Sequence, residues 1–185
     1  REPRFYASLA FDGSLWYMQN GTWTVQAKAG QAQSRKAAFG YSITGYFPKK
    51  LVNWKLVIQA GQAVSVEQYP WPVIRLADLY LLHAEAANEV HGATDATFEY
   101  LDRVRERAGI PKLRDAWTQY ARNPEFIQTK DGLRDIIHQE RMNELAVEGH
   151  RFWDLRRWKE ASEEMNKPVY GWDIDQESAG NYYRR

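Results

Sequence analysis

Residues 140–159 read ERMNELAVEGHRFWDLRRWK. Large apolar side chains (Leu145, Val147, Phe152, Trp153, Leu155 and Trp158) are interleaved here with acids and arginines around Gly149. A solvated helix face would need only the charges, and a plain core helix only the apolar residues. Both together predict Glu–Arg pairs held in a partly buried network that fixes one helix against the next. Upstream, Leu133, Ile136, Ile137, Glu140, Arg141, Glu144, Leu145 and Glu148 lie on adjacent stripes at helical spacing. One helix therefore runs from about Asp131 until Gly149 interrupts it. Residues 152–165 read as the next helix, ended by Pro168. Trp153, Trp158 and, further upstream, Tyr80 fall on helix stripes and are expected in the core.

Towards the N terminus the helical period continues back to Val73. Leu76, Tyr80, Ala84 and Ala87 share a stripe, with Ala77, Leu81 and Val90 beside it. This helix, residues 74–90, should stop near His91-Gly92, and Thr94 can cap the next. Phe98, Leu101, Val104 and Ala108 form the second apolar stripe, closed by Gly109 and Pro111. The two helices make a hairpin whose proportions approach one tetratricopeptide repeat of about 34 residues. Residues 112–130 read as a connection with a short helix.

Residues 1–72 change character and read as irregular and β-like. Asn20-Gly21 is a strong hairpin signal, because a type I′ turn needs positive φ at both central residues. With those two at the centre, Met18 faces Trp23 and Trp16 faces Val25. Alternation puts Trp16, Met18, Trp23 and Val25 on one face and Tyr17, Gln19, Thr22 and Thr24 on the other. Residues 28–45 and 59–68 read as loops, the first of them mobile, and 46–57 as a short extended element. The expected fold is mainly α: a tetratricopeptide-like helical scaffold (73–168), preceded by an irregular section with a small β-hairpin (1–72) and followed by an irregular tail (169–185).

The segments RLADLYLLHAEAANEVHG (75–92), RVRERAGIP (103–111) and LRDIIHQERMNELAVEGHRFWDLRRWK (133–159) resemble the SusD/RagB family. These are starch-utilisation-type outer-membrane lipoproteins of Gram-negative bacteria. REPRFYASLAFDG (1–13) resembles the segment that precedes the helical region in that family. The resemblance implies a non-enzymatic, cell-surface protein that binds an oligosaccharide or polysaccharide and acts as a lid on a SusC-like TonB-dependent transporter. The family's N-terminal helical part, its lipid-anchored cysteine and its closing C-terminal segment have no counterpart here. The chain thus reads as an internal to C-terminal fragment, its parent anchored through a residue absent from it.

Composition agrees with a protein of this kind. The net charge of +1 offers no bulk attraction for nucleic acid. Cysteine is absent, which removes disulfides, zinc–thiolate sites and thiol catalysis. No apolar run approaches the roughly 18 residues of a membrane span. The four histidines show no metal-ligand spacing, and no cofactor motif is present. Paired carboxylates on one helix do not face each other across a cleft as a glycosidase requires, so no residue is assigned a catalytic role.

Eight tryptophans and eleven tyrosines leave rings for sugar stacking, since a pyranose has an apolar C–H face and a hydroxyl rim. Trp16, Tyr17 and Trp23 beside Gln19 and Asn20 are the candidate ligand-binding residues. The competing reading makes Trp16 and Trp23 the hairpin's buried face and leaves Tyr17 exposed. Tyr41, Tyr46 and Trp54 are second choices. A pure interaction scaffold, docking on the transporter with no glycan site of its own in this fragment, is the alternative function.

Overall fold

Helix α1 (Pro3–Ser8) leads into strands β1 (Leu9–Phe11), β2 (Leu15–Met18), β3 (Gly21–Thr24), β4 (Tyr46–Pro48), β5 (Val57–Ile58) and β6 (Val64–Ser65). Helices α2 (Leu76–His91), α3 (Asp95–Arg107), α4 (Leu113–Tyr120), α5 (Lys130–Glu144), α6 (His150–Arg157), α7 (Ala161–Met165) and α8 (Ala179–Tyr182) follow. A 3-10 turn, Pro124–Gln128, separates α4 from α5. This computed structural model describes residues 1–35, 40–58 and 64–184. The mainly helical architecture expected from the sequence is what is found. Two compact units share the chain: Arg1–Phe5 with Trp71–Ala161, and Tyr6–Pro70 with Ser162–Arg185. Among the described residues no helix is long and apolar enough to cross a membrane.

In the first unit, α2 packs on both α3 and α5. The core gathers Ala77, Leu81 and Ala84 of α2, Phe98, Leu101 and Val104 of α3, and Leu133, Ile136 and Ile137 of α5. The α3 and α5 stripes are those the period predicted. On α2 the buried face is rotated by about one position, to Ala77, Leu81, Ala84 and Asn88, and Leu76 is left 60% exposed. Packing against two helices selects this face, and inside it the Asn88 amide donates to the Lys130 carbonyl at 2.8 Å. The helix starts at Leu76, because Arg75 has an extended backbone (φ −115°, ψ 147°). Gly92, at φ 72°, stops it as expected. Thr94 precedes α3, but its hydroxyl meets the Thr97 hydroxyl at 3.2 Å instead of a backbone N–H.

The connection after α3 holds two helical pieces, α4 and the 3-10 turn, where one short helix was expected. Asp102 accepts from the Leu113 backbone N–H at 2.7 Å and so caps the start of α4. Thr129 caps α5 by accepting from Gly132, whose missing Cβ would otherwise lie 2.2 Å from the Phe126 carbonyl oxygen. The helix ends at Glu144, before Gly149, and the chain turns through left-handed Val147 (φ 69°) and Gly149 (φ 84°). The single helix expected over 152–165 is two. Lys159 takes φ 64°, its N–H meets the Arg156 carbonyl, and the Glu160 N–H returns to the Leu155 carbonyl. That left-handed closure ends α6 before α7 begins.

In the second unit β1 pairs with β4, β2 with β3 and β5 with β6, all antiparallel. Ala10, Val25, Ala27, Ala29 and Tyr182 are buried. Helix α1 and strand β6 were not foreseen; the first carries Pro at its opening position, where the missing N–H costs nothing. The extended element expected over 46–57 is strand only at its two ends. The segment 28–35, expected as mobile loop, is anchored: Ala29 donates to the Gln176 carbonyl and Lys28 pairs with Asp12 at 2.7 Å. Residues 36–39 and 59–63 of the two expected loops lie outside the described residues. The tail supplies Trp172 and Tyr182, which stack, and Tyr183, which meets both edge-on, and Gly45 leaves room for Tyr182 and Trp172. The Tyr183 hydroxyl donates to Asp12, which also accepts from Ala27 N–H at 2.8 Å. Burial works against ionisation of Asp12, yet Lys28 and these donors outweigh it and lower its pKa.

Candidate functional site

The charged stretch that opened the sequence forms an ion network inside the first unit. Glu144, 2% exposed, receives Arg4 at 3.2 Å, Arg75 at 3.0 Å and Arg107 at 2.7 Å. Glu140 receives Arg105 at 2.8 Å and stands 2.6 Å from Arg4, a close ion pair without hydrogen-bond alignment. Arg75 also grips Glu148 through both oxygens, at 2.7 and 2.8 Å. Arg141, 2% exposed, meets both Asp154 oxygens at 3.1 Å and Asp78 at 2.9 Å, joining α5 to α6 and α2. Glu140 and Glu144 are thus buried and closed in by guanidinium groups, which is a packing arrangement. Among the described residues no cluster of three or more acids or histidines could hold a metal ion.

At the edge of this network His138 stacks on Trp158, with centroids 3.5 Å apart and planes within 12°. Glu85 binds Arg157 through both oxygens and accepts from Trp158 Nε1 at 2.9 Å. Burial opposes Glu85 ionisation, but these donors prevail and lower its pKa. Hydrogen bonds from Arg134 hold Glu89 lower still, at about 2 against an ordinary 4.5. Burial depresses the pKa of His138 below 6.5 despite the neighbouring carboxylates. In each case the folded state binds protons less readily than the unfolded chain, so stability is complete at neutral pH and falls on acidification. The His138 share should fade as pH drops below 6.5, and the Glu89 share between 4.5 and about 2. Urea midpoints measured from pH 7 to pH 2 should show this decline, with Glu89→Gln removing part of the acid-side loss; a flat profile would contradict it.

The second unit carries the aromatic hairpin. Trp16 stands opposite Trp23, with ring centroids 6.5 Å apart, and Tyr17 stands opposite Thr22. The loop is therefore Gln19-Asn20, and Gly21 (φ 136°) begins β3, paired with Met18. This corrects the register expected from Asn20-Gly21 by two residues, a shift that keeps the strand side chains on their predicted faces and moves Gln19 into the loop. The Gln19 N–H donates to the Trp54 carbonyl at 2.7 Å, so the turn is tied to the 51–55 loop as well as to its own strands. Tyr17 is 62% exposed, Trp23 42% and Trp54 58%, Trp16 is half-buried, and Gln19 and Asn20 are exposed.

Beside the hairpin's anchor at Trp54 lies an open cleft of about 450 Å³, lined by Asn53, Trp54, Lys55, Glu67, Gln68 and Tyr69 among others. Tyr69 is held there by donating its hydroxyl to the Leu51 carbonyl at 2.7 Å, and Lys55 pairs with Glu67 at 3.4 Å. Flat rings with amide and charged groups at their edges are the complement of a pyranose.

A family model described as the SusD family matches residues 1–185. The chain belongs to the SusD family. It is 42% identical over 86 residues to SusD-like protein P25 of Formosa agariphila, a match covering 46% of this chain and 15% of that protein. Over 99 residues it is 38% identical to SusD-like protein P38 of the same organism, covering 54% of this chain and 19% of the relative. Among solved structures it is similar to selenomethionine BT4246, with TM-score 0.77, 30% identity, and coverage of 100% of this chain and 32% of the other. A SusD-like protein (BF3747) from Bacteroides fragilis gives TM-score 0.65 at 30% identity, over 88% of this chain and 29% of that one. The chain thus spans about a third of the length of these solved SusD-family structures.

Within this SusD-family chain the five candidate residues all lie on or beside one hairpin. Sequence reasoning missed Tyr69, Asn53 and Gln68, which the fold brings to the cleft beside Trp54. The available signal was an aromatic next to an amide, in Asn53-Trp54 and in Gln68-Tyr69. Of the second choices, Tyr41 is exposed, and half-buried Tyr46 packs on Phe11 and Trp172. Of the helical aromatics expected in the core, Tyr80 packs against it and the two tryptophans differ from expectation. Trp153 is 67% exposed and Phe152 is exposed beside it, while Trp158 and Tyr80 are half-buried. Helix α6 buries Asp154 and Leu155, and that choice of inner face turns Phe152 and Trp153 outward.

Proposed function

We propose that this chain is part of a non-enzymatic, cell-surface glycan-binding protein of the outer membrane, lipid-anchored and assisting import through a SusC-like TonB-dependent transporter. Family membership supports the nutrient-binding role in general. The observation that carries the site is the Tyr17–Trp23 hairpin tied through Gln19 to Trp54, with exposed rings beside a cleft edged by Asn53 and Gln68. Tyr17 on one hairpin face and Trp23 on the other offer separate stacking surfaces, Trp54 offers a third at the cleft, Trp16 supports Trp23, and Gln19 and Asn20 in the turn meet hydroxyls. No step of bond cleavage is assigned to these groups, and no cofactor is needed for such binding.

Calorimetric titration with a panel of oligosaccharides tests the reading. Tyr17→Ala and Trp54→Ala should each weaken binding about tenfold, a loss of about 1 kcal/mol or somewhat more. Unchanged affinity in both variants would remove this surface as the site. The exposed Phe152–Trp153 pair on α6 favours a second reading, a scaffold that docks on the transporter without a glycan site of its own. That reading predicts co-purification with the transporter that is lost in Trp153→Ser and no calorimetric signal with any glycan.

A further inference from the structure

Lys49 follows β4, and its backbone N–H donates to the Ser8 carbonyl at 2.8 Å. Its ammonium donates to the carbonyls of Tyr6 at 3.4 Å and Leu15 at 3.3 Å, and lies 5.8 Å from the Tyr17 ring centroid. All three partners are neutral. Among the described residues no carboxylate pairs with this ammonium. Its neighbours in the same unit differ: Lys28 pairs with Asp12, Arg35 with Asp175 and Lys55 with Glu67.

An ammonium held by two carbonyls and lying over a ring is fixed in position. Leu15 and Tyr17 lie on one face of the hairpin with exposed Thr22 and Thr24, so the charge stands beside the ring on which a pyranose would stack. We infer that the saccharide taken by the Tyr17 face is anionic, its carboxylate or sulfate ester accepting a hydrogen bond from Lys49 Nζ. The inference deepens the glycan-binding reading above and rests on it. Thr22 and Thr24 serve the hydroxyl rim, and Lys49 supplies the discrimination between charged and neutral sugars.

Titration of the chain with three probes tests it: oligogalacturonate for the carboxylate, sulfated galactan oligosaccharides for the ester, and the neutral galactan oligosaccharides. One charged probe should bind about tenfold or more tighter than the neutral one, as a charge-assisted hydrogen bond provides. Which charged probe wins identifies the anion. Lys49→Gln keeps a donor for the carbonyls but removes the charge, and should erase the advantage of the charged probe over the neutral one. Because Lys49 also holds the hairpin, wild-type titration at raised salt gives a second readout, weakening only the charged probe. Equal affinity for all three probes, or an advantage that survives both Lys49→Gln and salt, overturns the inference and leaves the glycan-binding reading standing. Absence of binding by all three probes overturns both at this face.

Discussion

Glu144→Ala should destabilise the first unit by about 3–5 kcal/mol, the usual cost of breaking a buried ion pair by removing one partner. Glu144 is 2% exposed and is reached by Arg4 from α1, Arg75 at the start of α2 and Arg107 at the end of α3. Removing it leaves Arg4, itself 8% exposed, with Glu140 and Glu2 as remaining counter-charges, and opens a cavity where a carboxylate stood. Arg107 is the exposed partner and loses least. Urea denaturation followed by far-ultraviolet circular dichroism measures the change. Glu144→Gln keeps the volume and one acceptor and should fall between wild type and alanine. A cost below about 1 kcal/mol for alanine would mean that the hub is no stronger than a surface pair.

Arg141→Met should cost a similar amount, about 3–5 kcal/mol, for the opposite reason. Methionine fills the space of the arginine stem, so the loss comes from stranded negative charge rather than from a void. Asp154 keeps Arg157, whose Nε donates to it at 2.9 Å. Asp78 loses its 2.9 Å ion-pair partner while remaining buried. The double variant Arg141→Met/Asp78→Asn should therefore be more stable than the sum of its parts, with a coupling of about 1–3 kcal/mol in a double-mutant cycle. Strict additivity would show that Asp78 and Arg141 do not hold α2 to α5.

These expectations concern the part of the molecule most legible in the sequence. Glu–Arg pairs fixing neighbouring helices were readable from residues 140–159, because helical spacing places Glu140, Arg141 and Glu144 on stripes continuous with Leu133, Ile136 and Ile137. Their partners were not readable. Arg4, Arg75, Arg105 and Arg107 come from three other places in the chain, and their identity depends on how α1, α2 and α3 meet α5. The hairpin was legible as a hairpin and in its two faces. Its register was not, because Gln19 spends its backbone N–H on Trp54, a tertiary bond that competes with the turn preferred by Asn20-Gly21.

The boundary between the two kinds of knowledge follows the range of the interactions. By itself the sequence determined the family, the mainly helical class, helices α2, α3 and α5, and the presence of an aromatic hairpin, since period, glycine stops and local motifs act over a few residues. Tertiary contacts set which face of α2 goes inward, turn Phe152 and Trp153 to solvent, bring Trp54 and Tyr69 to one cleft, and place Lys49 beside Tyr17 with no carboxylate on its ammonium among the described residues. Each of those depends on contacts between residues distant in the chain, where packing and electrostatic satisfaction override local preference.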